Sequence, residues 1–183
     1  MAKRPRIAKE LIGSIEVKDI VYCQNKSLVY AKKVLDRSHH IEIEIWCAEH
    51  YYNRLQFGDK NGKREGIDEE TIKALVADSI QHLFYYSFKL KTFTFINFDE
   101  KTRKIRTILQ EYKNDGILNI VTEFHYVEKS KYEVTVITAM QADHFSVGMG
   151  QFTLEIMGNS SVLRKFDGRN LNDVDNFTGI IFP

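Results

Sequence analysis

His50 and Arg54 stand four residues apart, and Arg64 follows in the next loop-like stretch. If residues 48–56 are helical, His50 and Arg54 share one side of that helix. The loop after it can bring Arg64 beside them. Such a group suits RNA cleavage by transphosphorylation. An imidazole takes the proton of a ribose 2′-hydroxyl near neutral pH. Guanidiniums hold the non-bridging phosphate oxygens with paired hydrogen bonds and stabilise the charge that grows in the transition state. This chemistry needs no metal and no cofactor. His50 and Arg54 equally fit the wet face of an ordinary amphipathic helix, so residue types alone leave both readings open.

Other chemistries lack their signatures. The sequence has neither GxGxxG nor GxxxxGK[ST], no HExxH, no Cys/His pair at zinc spacing and no serine in a nucleophile elbow. Val147-Gly-Met-Gly150 is glycine-rich but reads as a turn. The remaining histidines are weaker candidates. His39-His40 precedes a strand, and His82 is assigned to the polar side of a long helix. His125 shares a strand face with Asn119, Val121 and Glu123, read as the open side of a sheet. His144 lies in a loop beside Phe145. Tyr51, Tyr52, Tyr85 and Tyr86 are suited to stacking on bases, although packing is the commoner use of tyrosine.

The elements that must position these residues follow from the hydrophobic pattern. Leu28, Ala31, Val34 and Leu35 predict a short helix over 27–36. Ile41, Ile43 and Ile45 alternate with Glu42 and Glu44, which predicts a strand with one buried and one wet face. Asp68 is a good N-cap for a helix over about 69–85, with Ile67 as a staple onto Ile72 and Glu69 and Glu70 at its positive end. Its buried stripe is Ile72, Leu75, Val76, Ile80 and Leu83. Four strands are expected next, over 91–98, 104–112, 117–127 and 132–140, with Tyr132, Val134, Val136, Thr138 and Met140 on one face of the last. Asp115-Gly116 is a strong hairpin signal, and the short links predict neighbouring antiparallel strands. Residues 151–156 predict one more strand, and the apolar end from Phe177 to Pro183 is expected to dock.

Composition sets the frame. The chain has 183 residues, 43% hydrophobic and 28% charged, which suits one globular domain. Its formal net charge of +1 argues against a dedicated nucleic-acid coat. The charge is uneven, with nine Lys/Arg against four Asp/Glu in residues 1–37, so a basic N-terminal arm could touch phosphate. Cys23 and Cys47 make no CxxC pair and read as reduced thiols of a cytoplasmic protein. No apolar run is long enough for a transmembrane helix, and the basic start lacks the apolar stretch of a secretory signal.

The order of these pieces resembles the small toxin-like nucleases of the barnase, EndoU, colicin and RelE group. The likeness rests on His50-x-x-x-Arg54, then Arg64-Glu-Gly-Ile67, then the long helix, and finally Val136-Ile137-Thr138 in a late strand. It covers about residues 40–140. It implies an α+β fold, with helices packed on a four- to five-stranded antiparallel meander sheet. It also implies metal-independent RNA cleavage by His50, Arg54, Arg64 and Thr138, the threonine positioning substrate from the sheet. Many such proteins are toxins, and several are carried by phages. RNA or a ribosome would be the substrate, and an antitoxin or a virion component a protein partner. The loop between Arg54 and Arg64 is longer than the pattern expects. On this reading residues 1–183 form a single domain, with a basic helical N-terminal extension over 1–37, a core over 40–140 and a C-terminal extension over 141–183. The alternative on the same scaffold is a non-catalytic interaction or structural protein. The near-neutral charge, nine Tyr, twelve Phe and the apolar C-terminal end motivate it. A third expectation is an accessory that binds nucleic acid through the basic arm.

Overall fold

The computed structural model describes residues 39–48, 51, 67–99, 104–113, 116–128 and 131–179, together with the backbone path of 6–17. Among them are nine strands and one long helix. The strands are β1 (Arg6–Val17), β2 (His39–Ala48), β3 (Ile96–Asn97), β4 (Thr107–Lys113), β5 (Gly116–Glu128), β6 (Lys131–Gln141), β7 (Phe152–Met157), β8 (Ser160–Phe166) and β9 (Leu171–Phe177). The helix α1 (Glu69–Lys89) crosses one face of the sheet they form.

The sheet runs β1-β2-β6-β5-β4-β7-β8-β9, with β3 beside β5. It is mixed. β2 pairs with β6, β4 with β7 and β3 with β5 in parallel, while the other pairs are antiparallel. The expected four- to five-stranded antiparallel meander under several helices is therefore corrected to a larger mixed sheet under one helix. Only β4-β5-β6 form the expected meander. Lys113 pairs with Gly116, which takes a positive φ of 128°, a conformation that favours glycine.

The missing hairpin between β3 and β4 has a local cause in Asn97. Its Oδ1 accepts from the Ile105 backbone N–H at 2.7 Å, and its Nδ2 donates to the carbonyls of Ile105 at 3.1 Å and Phe124 at 2.9 Å. The side-chain amide thus takes the place of a ladder peptide for Ile105. β3 stays two residues long and pairs with the far end of β5. Phe93 and Phe95, expected within a strand, fill the core from irregular backbone instead.

The long helix forms where its capping signals place it. Asp68 accepts from Thr71 N at 2.8 Å, and that hydrogen bond holds its carboxyl below the usual range. Ile72, Leu75, Val76, Ile80 and Leu83 are all buried, each worth roughly 1.5–3 kcal/mol of burial. Ser79, His82 and Tyr86 join them. His82, assigned to the polar side of the helix from sequence, is 1% exposed and belongs to the buried side. Leu90 closes the helix with its N–H on Tyr86 O at 2.8 Å.

Two register details set the faces of the sheet. In β6 the pairing jumps from Val121↔Thr138 to Thr122↔Val136, which leaves Ile137 as a bulge. Val134, Val136 and Ala139 therefore face the helix, and Thr138 and Met140 turn to the other side, away from the face expected for them. Every residue of β5 from Leu118 to Phe124 is buried, so the sheet is covered on both faces at its centre. The side carrying Asn119, Val121 and Glu123, expected to be open, is closed there.

Arg6–Val17, within the stretch expected as a helical extension, is the edge strand β1. Residues beyond 141 supply β7, β8 and β9 to the same sheet. The helix expected over 27–36 lies outside the described residues, as does that over 48–56 except for Ala48, which ends β2 as strand, and Tyr51. Tyr51 is helical and buried, with its hydroxyl on Ile67 O at 2.6 Å.

Candidate interaction surface

Three of the four residues expected to cleave RNA, His50, Arg54 and Arg64, lie outside the described residues. Thr138 is half-buried on β6. It sits on the face away from α1, opposite Val121. The described histidines are committed elsewhere. His82 is buried, and His144 is exposed in the link between β6 and β7. His125 Nε2 stands 3.6 Å from Glu123 Oε2, and the other oxygen of that carboxylate takes Arg106 Nε at 2.8 Å. Burial pushes the Glu123 carboxyl up. The hydrogen bonds from His125 and Arg106 outweigh it and hold the group below its ordinary value. Among the described residues no group of three or more His, Cys, Asp or Glu could hold a metal ion.

Aromatic side chains do converge. α1 places Phe84 and Phe88 one turn apart, stacked with centroids at 6.0 Å and an interplanar angle of 22°. Phe84 also stands edge-on to the buried Phe95 at 5.3 Å and to Tyr132 of β6 at 5.7 Å. Tyr132 is the cross-strand partner of Tyr126 on β5, with the rings 5.9 Å apart. Tyr126 in turn meets Phe98, the residue after β3, at 5.9 Å. The result is a continuous row, Phe88–Phe84–Tyr132–Tyr126–Phe98, at one end of the sheet. Its middle is half-buried, and burial pushes the Tyr132 hydroxyl above its ordinary range. Its two ends are the most open, Phe88 at 69% and Phe98 at 72% exposure. Tyr126 is exposed beside Phe98.

Charges of both signs border the row. Lys131 reaches Glu44 at 3.0 Å and Glu42 at 3.3 Å, Lys104 Nζ donates to Asp99 O at 3.2 Å, and Glu128 is exposed at the end of β5. Among the described residues of this rim the Lys131 cation is paired with carboxylates.

The signal for this surface was in the sequence but spread over four segments. Phe84 and Phe88 have helical spacing, and Tyr126 and Tyr132 flank a short link, but Phe98 joins them only because Asn97 fixes β3 against β5. His82 also had a readable signal. It stands seven residues after Leu75 and three after Ser79, both on the buried side.

Comparison with protein-family models, with curated proteins and with solved structures returned no match to this chain. The resemblance to toxin-like nucleases thus stands on its short motifs alone. Among the described residues no helix is long and apolar enough to cross a membrane.

Proposed function

We propose that this chain is a non-catalytic interaction module that docks a protein partner on the aromatic row. The observation behind this reading is the continuity of that row from the core, at Phe95, to the open rings of Phe88 and Phe98. Isolated exposed apolar side chains are ordinary, whereas a connected patch rimmed by polar residues is typical of binding sites. The rings are held by their neighbours, so little side-chain freedom remains to be lost on docking. Aromatic residues in such a setting carry much of the energy of protein interfaces. The mixed charges among the described rim residues, with Lys131 paired to Glu42 and Glu44, suit a protein surface better than a phosphate backbone. The test is a Phe88→Ser, Phe98→Ser double variant. It should keep the fold, because both rings are already solvated, and lose a partner that co-purifies with the wild type. Identical co-purification would contradict the reading.

The second reading is metal-independent RNA cleavage by His50, Arg54, Arg64 and Thr138. One observation favours it. Cys47, near the end of β2, pairs with Val136, two residues before Thr138, so the chain sets out toward His50 from a point beside Thr138. Its test is decay of total RNA in EDTA. Loss of activity in the His50→Ala, Arg54→Ala double variant supports it, and equal decay with wild type and variant dismisses it.

A further inference from the structure

His82 is buried on α1 under the last two strands, and its contacts form a chain of hydrogen bonds. His82 Nδ1 lies 3.0 Å from Ser161 Oγ, which lies 3.0 Å from the Tyr86 hydroxyl, and that hydroxyl donates to Ser161 O at 2.8 Å. His82 Nε2 faces Gln81 Nε2 at 3.5 Å. One proton assignment satisfies every group in turn. Tyr86 gives its proton to the Ser161 carbonyl, Ser161 gives its own to the Tyr86 oxygen, and His82 Nδ1–H donates to Ser161 Oγ. Nε2 then keeps a lone pair toward the Gln81 amide N–H. That assignment requires a neutral imidazole.

The same stretch of helix holds the end of the edge strand. Phe177 of β9 packs edge-on to His82 at 5.1 Å and against Tyr85 at 4.6 Å. Lys89 pairs with Asp175 of β9 at 2.6 Å. Beyond these contacts β9 is held by its antiparallel pairing with β8, from Phe166↔Leu171 to Ser161↔Phe177, and by Arg164 on Asp173 at 2.7 Å, while Asn172, Asp173, Val174 and Asn176 are exposed.

We infer that the contact between α1 and β9 is an acid-released latch, in which protonation of His82 frees the Asp175–Phe177 end of β9 while the rest of the sheet stays folded. A second proton on Nε2 would point at the Gln81 amide nitrogen 3.5 Å away, so Gln81 would have to turn its amide over to accept it. Among the described residues no free countercharge contacts the ring. On α1 the titratable neighbours are Asp78, one turn back and exposed to water, Tyr85, Tyr86 and the cation Lys89, and burial alone sets the His82 shift. Burial pushes the Tyr86 hydroxyl up to about 12, so it stays neutral. β9 offers Asp175, which Lys89 already occupies, and β8 offers only the neutral Ser161. β7 presents the apolar Ile156 beside Ser161, and on β4 the same row carries Glu111, two strands from Ser161 and bonded to Lys113 at 2.7 Å. Burial accordingly lowers the His82 imidazole from 6.5 to about 4. A folded value below the unfolded one means that stability is intact above 6.5 and drains away as the pH falls toward 4. If His82 regains its ordinary value in the open form, the opening equilibrium rises about 30-fold between pH 7.5 and pH 5. Release is local because β9 is an edge strand, paired on one side by β8 alone and carrying mostly exposed side chains.

Hydrogen exchange at pH 7.5 and 5.0, corrected for intrinsic rates, tests the latch in the full chain. Peptides covering 171–179 and 80–89 should open about 30-fold more at the lower pH, with β5 and β6 unchanged, and the acid response should vanish in His82→Gln. An absent response, an equal response in His82→Gln, or an equal response in β5 and β6 would overturn the inference. Should that variant fail to fold, NMR titration of His82 in the wild type decides. A midpoint well below 6.5 supports the latch, and one at or above 6.5 removes it.

Discussion

Asn97→Ala is the substitution that separates this fold from an ordinary meander. Asn97 is 3% exposed and makes three hydrogen bonds, to Ile105 N, Ile105 O and Phe124 O. Each such bond contributes about 0.5–1.5 kcal/mol net, and a stranded buried partner costs about 1–3 kcal/mol. Ile105 is half-buried and water can replace part of its loss, whereas the Phe124 carbonyl lies in the core and stays unpaired. The expected loss is about 2–4 kcal/mol. For a chain of this size that lowers Tm by roughly 5–15 °C. Urea unfolding followed by the single tryptophan, Trp46, gives the number directly. Asn97→Asp sharpens the test. It keeps the acceptor for Ile105 N–H but turns a carboxylate toward two carbonyl oxygens. Its folded carboxyl is then raised above the unfolded value, so the deficit is smallest below about pH 4 and grows as the pH rises. A loss under about 0.5 kcal/mol for Asn97→Ala, or a pH-independent deficit for Asn97→Asp, would refute the reasoning.

Two further substitutions probe the far end of the sheet. Tyr86→Phe removes the hydroxyl that donates to Ser161 O and should cost about 1–2 kcal/mol in urea unfolding, and unchanged stability would contradict the hydrogen-bond chain. Gly179 has φ +73°, and a Cβ there would lie 2.7 Å from Asn159 O, so Gly179→Ala should lower stability by about 1–3 kcal/mol in a thermal melt.

Local rules made much of the fold readable. Asp68, the apolar stripe and the alternation of β2, β5 and β6 each depend on residues close in sequence, and each element forms where those residues place it. What failed was pairing. Nothing in Thr107-Ile-Leu109 announces that β4 will lie parallel to Phe152–Met157, because that choice depends on the whole sheet. Asn97 reads as one more strand residue until its amide is seen taking the place of a peptide. The bulge at Ile137 moves Thr138 to the opposite face, and a period-two count cannot foresee it. His82 was misplaced because imidazole is usually wet, and its partner Ser161 is 79 residues away. The interaction surface was legible only in pieces for the same reason, since its rings come from α1, the end of β3, β5 and β6.

The most direct measurement is site-specific photocrosslinking. A photoreactive phenylalanine at Phe98, an open end of the row, is compared with one at Val174, an exposed position on the edge strand β9. In the cells that make the protein, position 98 should yield a discrete crosslink to a protein and position 174 none. Crosslinks absent at 98, or equally strong at both positions, would contradict a docking role for the aromatic row.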